Sequence, residues 1–220
     1  MKKYLLQIDK EHAEVILKAL HLYINIGTGD LEEIMHAFNW HDFNKGALKP
    51  WRMRFAEARD GLTRAQAIMG LSKPAHTDVT GKAHLILHGI AEGEVAIDEY
   101  QAKTLIRALD FYSRIGIGQF REIVIAFSWW KRDEQWVVHR DDVDRLIQEV
   151  QWNLTGMPYN ASYGIASPET PEKAKIAYDI KQVIRHRLAW DREPKGGMTV
   201  DFDSPMKASE KDFPTIKEEK

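Results

Sequence analysis

Two short apolar runs, Tyr4-Leu5-Leu6-Gln7-Ile8 and Glu94-Val95-Ala96-Ile97, each stop at an aspartate, Asp9 or Asp98. Their length and β-branched content predict strands. Each Asp stands where an N-cap accepts a free backbone N–H of the helix that follows. Beyond them the apolar period lengthens to three or four residues. Ala13, Ile16, Leu20 and Tyr23 mark one helical stripe, and Ala102, Leu105, Leu109 and Tyr112 the other. Gly27 and Gly116 are expected to close these helices in the left-handed conformation that only Gly adopts without a Cβ penalty. Second helices are predicted over about Asp30–Trp40, with Asp30 as cap, and Gln119–Trp129. Third helices are predicted around Trp51–Arg59 and Asp142–Leu154.

The two stripes belong to one repeat. Residues 8–38 align without gaps on residues 97–127, an offset of 97 − 8 = 89, with 13 identities in 31 positions. Ile8-Asp9 matches Ile97-Asp98, Ile26-Gly27-Thr28-Gly29 matches Ile115-Gly116-Ile117-Gly118, and Ala37-Phe38 matches Ala126-Phe127; Trp40 and Trp129 continue the register. In the third helices the offset shifts to 147 − 55 = 92, where Phe55, Ala58, Leu62 and Thr63 pair with Ile147, Val150, Leu154 and Thr155. Two copies are too few for a solenoid. The expected architecture is mostly helical α+β: duplicated strand-helix-helix-helix units, about 4–63 and 93–155, around a small sheet near a pseudo-two-fold axis.

Between the units, Thr63–Leu71 reads as a short helix ended by Ser72-Lys73-Pro74. Ala83–His88 reads as a strand that would form a hairpin with 94–97. A loop from Gly156 to Pro168 leads to a long helix over 171–191, with Pro171 at its first position. Met198–Phe202 is a candidate last strand. Residues 1–203 thus read as one domain, and 204–220 as a charged tail, mobile or laid over the surface.

Composition narrows the function classes. The chain has 220 residues, 44% hydrophobic and 29% charged, so collagen-like, mucin-like and disordered classes are excluded. Lys and Arg number 31 against 33 Asp and Glu, a net charge of −2, which argues against general nucleic-acid binding. No cysteine is present, which removes disulfides, thiol catalysis and Cys-ligated metals. The first apolar run meets Asp9, Lys10 and Glu11 too early for a signal peptide, and no stretch has the ~18 apolar residues of a membrane span. A cytoplasmic protein is expected.

The candidate chemistry lies in two places. A Gly-X-Gly turn opening a helix offers backbone N–H groups to a phosphate, which makes Gly116, Gly118, Gln119 and the adjoining Arg114 candidate ligand contacts. These turns join helix to helix, however, where a dinucleotide fingerprint needs strand, turn and helix, and no P-loop lysine follows. A helix C-cap followed by a tight connection is the first reading of both turns, and a phosphate site the second. Second, aromatic residues interleave with cations: Trp51, Arg52 and Arg54 in one unit, and Trp129 with Arg132 in the other. Trp and Arg stack on bases, and Arg forks onto phosphate; packing of helices by Trp is the alternative.

The nine histidines are scattered. His84 and His88 lie too far apart in a strand to share a metal. His36 with His41-Asp42 has a faint phosphohydrolase flavour, without the further ligands. His139, Asp141 and Asp142 read as a cap of the following helix. Glu32-Glu33 and Arg121-Glu122 read as solvated first-turn charges. No cofactor, metal ligand or catalytic residue is assigned.

The segment from Ala108 to Ile123, ALDFYSRIGIGQFREI, resembles small uncharacterised proteins encoded by tailed phages, as does Ala177–His186, AYDIKQVIRH. The resemblance implies an accessory protein of the host cytoplasm that binds a host enzyme, a defence protein or a nucleotide immune signal. The expected function is therefore a non-catalytic binding protein that sequesters a small nucleotide. The alternatives are a protein–protein inhibitor of a host or defence enzyme and a metal-dependent hydrolase, with a homo-oligomer open in each case. The first unit has Asn25 where the second has Arg114, so the two units are not equivalent there.

Overall fold

The computed structural model describes residues 2–40, 55–68, 86, 89–130 and 134–219. A three-stranded antiparallel sheet with strand order β2-β1-β3 ties the ends of the chain together: β1 is Lys3–Ile8, β2 Gly93–Asp98 and β3 Thr215–Glu218. Strand β1 is central, with Leu6 opposite both Val95 and Ile216. Tyr4, Leu6 and Ile8 are buried on one face with Val95 and Ile97, as the period of two requires of a sheet covered on one side. Leu6 and Val95, opposite one another in this ladder, stand 89 residues apart, the offset of the sequence repeat.

Each strand runs straight into a helix, α1 (Lys10–Thr28) after β1 and α4 (Glu99–Gly116) after β2. Asp9 and Asp98 are the N-caps, each closing a capping box, with His12 in one unit and Gln101 in the other. Such a cap stabilises its helix by about 1 kcal/mol. The left-handed residues are Gly29, φ 97°, and Gly118, φ 86°, and not the expected Gly27 and Gly116. Gly27 and Gly116 are buried inside the helices, where packing overrides glycine's poor helix propensity. The two turns share their wiring at the offset of 89. Gly29 N donates to Ile26 O and Asp30 N to Asn25 O; Gly118 N donates to Ile115 O and Gln119 N to Arg114 O.

The second helices start later than expected: α2 is described over Glu33–Trp40 and α5 over Arg121–Trp130. The third helices, α3 (Phe55–Ile68) and α6 (Glu134–Thr155), pack along one another. A Cβ on Gly61 of α3 would come within 2.9 Å of Val150 Cγ2 on α6. Helix α3 is continuous through Thr63, so the two separate helices expected at 51–59 and 63–71 are one over the described part. Helix α6 begins two turns before Asp141 and Asp142, which are exposed interior residues and cap nothing.

Helix α7 (Glu172–Arg192) packs across α4 and α1, with Pro171 as its N-cap residue and not its first helical one. The expected strand at Met198–Phe202 is a set of turns, and the last strand is β3. Of the expected strand at 83–88 only Ile86 is described, and its backbone is helical. The C-terminal segment is anchored. Buried Asp179 accepts hydrogen bonds from Ala208 N, Ser209 N and Ser209 Oγ at 2.7, 2.9 and 2.6 Å. Lys211 pairs with Asp9 and Glu11. Among the described residues no helix is long and apolar enough to cross a membrane.

Candidate functional site

Helices α1, α4 and α5 leave a cleft of about 460 Å³ between them. Tyr23 comes from α1, Arg107, Asp110 and Phe111 from α4, and Glu122, Ile125, Ala126 and Trp130 from α5. Helical spacing explains the convergence. Arg107, Asp110 and Phe111 lie three and four apart on one face of α4, and Glu122, Ile125, Ala126 and Trp130 repeat that spacing on α5. Tyr23 sets the floor: its ring meets Phe111 at 6.2 Å and Trp130 at 5.3 Å, both edge to face. Burial pushes the Tyr23 phenol above its ordinary value, while Arg107 and Trp130 beside the hydroxyl pull the other way. The phenol is neutral at pH 7.

An ion-pair network braces the polar side of the cleft. Arg114 Nε donates to Asp110 Oδ2 at 2.8 Å, and its Nη1 donates to Glu122 Oε1 at 2.9 Å and to Gln119 Oε1 at 3.3 Å. Lys181 of α7 donates to the other oxygen of Asp110 at 2.8 Å. Burial alone would lower the Arg114 pKa, but the two carboxylates hold it above its usual value. For Glu122 burial wins over the attraction of Arg114, and its carboxyl is held above the ordinary range. Glu122 is thus no solvated first-turn charge, and neither is Glu33, its counterpart at 33 + 89 = 122, which is buried.

The expected phosphate cradle is otherwise occupied. Gly116 is a buried helical residue. The N–H groups of Gly118 and Gln119 are spent on α4 carbonyls, and Phe120 N donates to Gln151 Oε1 at 3.4 Å. The loop after α6 lies over the turn: Tyr163 N donates to Ile117 O, and a Cβ on Gly118 would collide with Met157 Cε. Gln119 itself bridges Arg114 and Ser162. This turn is a helix C-cap whose donors serve the fold. Arg114 is engaged as a brace between Asp110, Gln119 and Glu122.

Trp51, Arg52, Arg54 and Arg132 lie outside the described residues, as do His41, His84, His88 and the side chain of Trp129. The neighbouring Trp130 is the tryptophan that walls the cleft. Sequence reasoning missed Tyr23, Arg107, Asp110, Phe111 and Glu122. Of these Arg107, Asp110 and Glu122 are charged, and none of them sits in a motif. Among the described residues no group of three His, Asp or Glu is arranged to hold a metal ion. No family model, curated protein or solved structure matches the chain.

Proposed function

We propose that the chain is a non-catalytic binding protein that takes a small nucleotide in the cleft between α1, α4 and α5. The observation that carries this reading is the cleft's lining: three aromatic side chains, Tyr23, Phe111 and Trp130, with Arg107 beside them, around about 460 Å³. That volume falls within the range of small-molecule sites. An aromatic wall stacks on a base whatever its sequence, and a guanidinium forks onto phosphate. Arg114 and Lys181 pair with the two lining carboxylates, Asp110 and Glu122, and Arg107 is the cation in the lining. On the resemblance of 108–123 and 177–186 to phage-encoded proteins, the ligand is a signal nucleotide of a host cell.

Thermal unfolding against mononucleotides and cyclic dinucleotides tests the reading. A ligand at 100 times its Kd adds about 2.7 kcal/mol, which for this size raises the midpoint by roughly 5–10 °C. Trp130→Ala should remove the shift, and Trp152→Ala should keep it. A flat panel overturns the reading.

One observation favours a protein partner instead. Trp152 is 57% exposed and lines a second, open hollow with Met157, Pro158 and Tyr159. Exposed Trp is enriched at protein interfaces. In that reading Trp152→Ala releases a partner and Trp130→Ala does not.

A further inference from the structure

We infer that Glu122 reads the base of the nucleotide in this cleft, and that the base is guanine. The inference rests on the reading of the cleft as a nucleotide site. Glu122 has one carboxylate oxygen, Oε1, fixed by Arg114 at 2.9 Å. The other, Oε2, receives no hydrogen bond from the described residues, and the side chain lines the cleft at 21% exposure. Oε2 is not among the buried polar atoms left without a partner, so it stays accessible as an acceptor, and a ligand that brings N–H groups to it adds charge-assisted hydrogen bonds.

The neighbouring carboxylate cannot play this part, because Arg114 takes Oδ2 of Asp110 and Lys181 takes Oδ1. Arg114 is bonded at Nε and Nη1 to those same carboxylates, and the cationic donor that lines the cleft is Arg107, which leaves Oε2 of Glu122 as the carboxylate acceptor open to a base. A carboxylate accepts only. It is repelled by carbonyl oxygens and ring nitrogen lone pairs, and attracted to N–H groups. Uracil has a single N–H between two carbonyls. Adenine and cytosine set one amino group beside a ring acceptor. Guanine alone among the common bases presents a ring N–H and an amino group side by side, both donors, to one carboxylate. Stacking against Trp130 would hold the base, and Arg107 would take the phosphate.

The test is isothermal titration of the full chain with GMP, IMP, AMP and UMP. IMP differs from GMP only in lacking the amino group. A good paired hydrogen bond to a base discriminates by about 5- to 150-fold, so GMP should bind at least 5-fold more tightly than IMP and more tightly still than UMP. Glu122→Gln turns one acceptor into a donor and should bring GMP and IMP within about 2-fold of each other. Glu122→Asp keeps the charge, guards against a folding artefact, and should retain a reduced preference for GMP. Equal binding of all four nucleotides, or a GMP preference that survives in Glu122→Gln, overturns the inference and leaves the nucleotide site standing. No binding by any of the four, with no thermal shift from cyclic dinucleotides, overturns both.

Discussion

Asn25 and Arg114 stand at the same place in the two units, 89 residues apart, and each reaches the glutamate eight residues further on. Arg114 pairs with Glu122 at 2.9 Å, while Asn25, a neutral amide, lies beside Glu33 and draws its pKa down against the effect of burial. Burial raises the pKa of both glutamates, and only one has a full positive charge beside it. The same scaffold thus carries a neutral contact in one unit and an ion-pair network, open to a cleft, in the other.

Arg114→Asn transplants the first unit's arrangement into the second. The Arg114 side chain is 41% exposed, so solvent screening keeps the cost to about 1 kcal/mol. The Glu122 carboxyl, deprived of its cation, should titrate at higher pH than in the parent protein, as read by carbon-detected NMR of the glutamate side chains. An unchanged Glu122 titration would show that the Arg114 pair has no hold on it.

Asp179 is 2% exposed and accepts three hydrogen bonds from the C-terminal segment. Asp179→Ala strands two backbone N–H groups and should cost about 3 kcal/mol, lowering Tm by roughly 6–12 °C. Limited proteolysis should then cut between residues 204 and 214, where the parent resists. Asp179→Asn should fare little better, because its amide places a donor against donors. If either variant keeps the parent's cleavage pattern, β3 holds the segment without Asp179.

What the sequence revealed was local. The two strands, the Asp caps and the first helices follow from patterns within a few residues, and the offset of 89 linked them across the chain. The left-handed glycine was misplaced by two residues because Ile26 and Gly27 are buried, and packing extends α1 beyond where propensity would stop it. Strand β3 was illegible because Thr215-Ile216-Lys217-Glu218 has one apolar residue and owes its form to pairing with β1. The cleft was hidden for a similar reason. Tyr23 belongs to the first unit and its companions to the second, and only the packing of α1 on α4 and α5 brings them together. Glu122 looked solvated since acids at a helix start usually are.

Gly118→Ala separates backbone strain from crowding. At φ 86° an L-residue pays about 1–2 kcal/mol, and the added Cβ also meets Met157 Cε. Met157 is unbranched, and the end of its side chain moves at little cost. The loss in chemical denaturation should therefore persist when Met157→Ala is combined with it, once the cost of Met157→Ala alone is subtracted. Recovery of the parent stability in the double variant would place the whole cost in the steric contact.

His12 offers a test of pH dependence with its own control in the chain. It is 4% exposed in the α1 capping box, where the second unit uses Gln101 at 12 + 89 = 101. Burial lowers the His12 pKa below its ordinary 6.5, and the nearby carboxylates Asp9 and Glu11 only partly oppose this, with Lys211 acting alongside burial. The native state therefore prefers the neutral imidazole, and the unfolded chain binds the proton more readily. Stability is full above about pH 6.5 and falls as the pH drops through the window between that value and the folded pKa. A second loss follows in more acid solution. Asp9 is held below its ordinary value, with burial outweighed by the His12 N–H and Lys211, and Glu14 is held at about 2 by Lys173 and Lys18. These groups stabilise the fold at higher pH and lose that contribution only as they protonate. His12→Gln should keep the capping box, leave stability at pH 8 within about 1 kcal/mol of the parent, and abolish the first loss while sparing the second. Urea unfolding at half-unit steps from pH 8 to pH 3 reads both windows. A parent and variant that decline together from pH 7 would assign the first loss to another group.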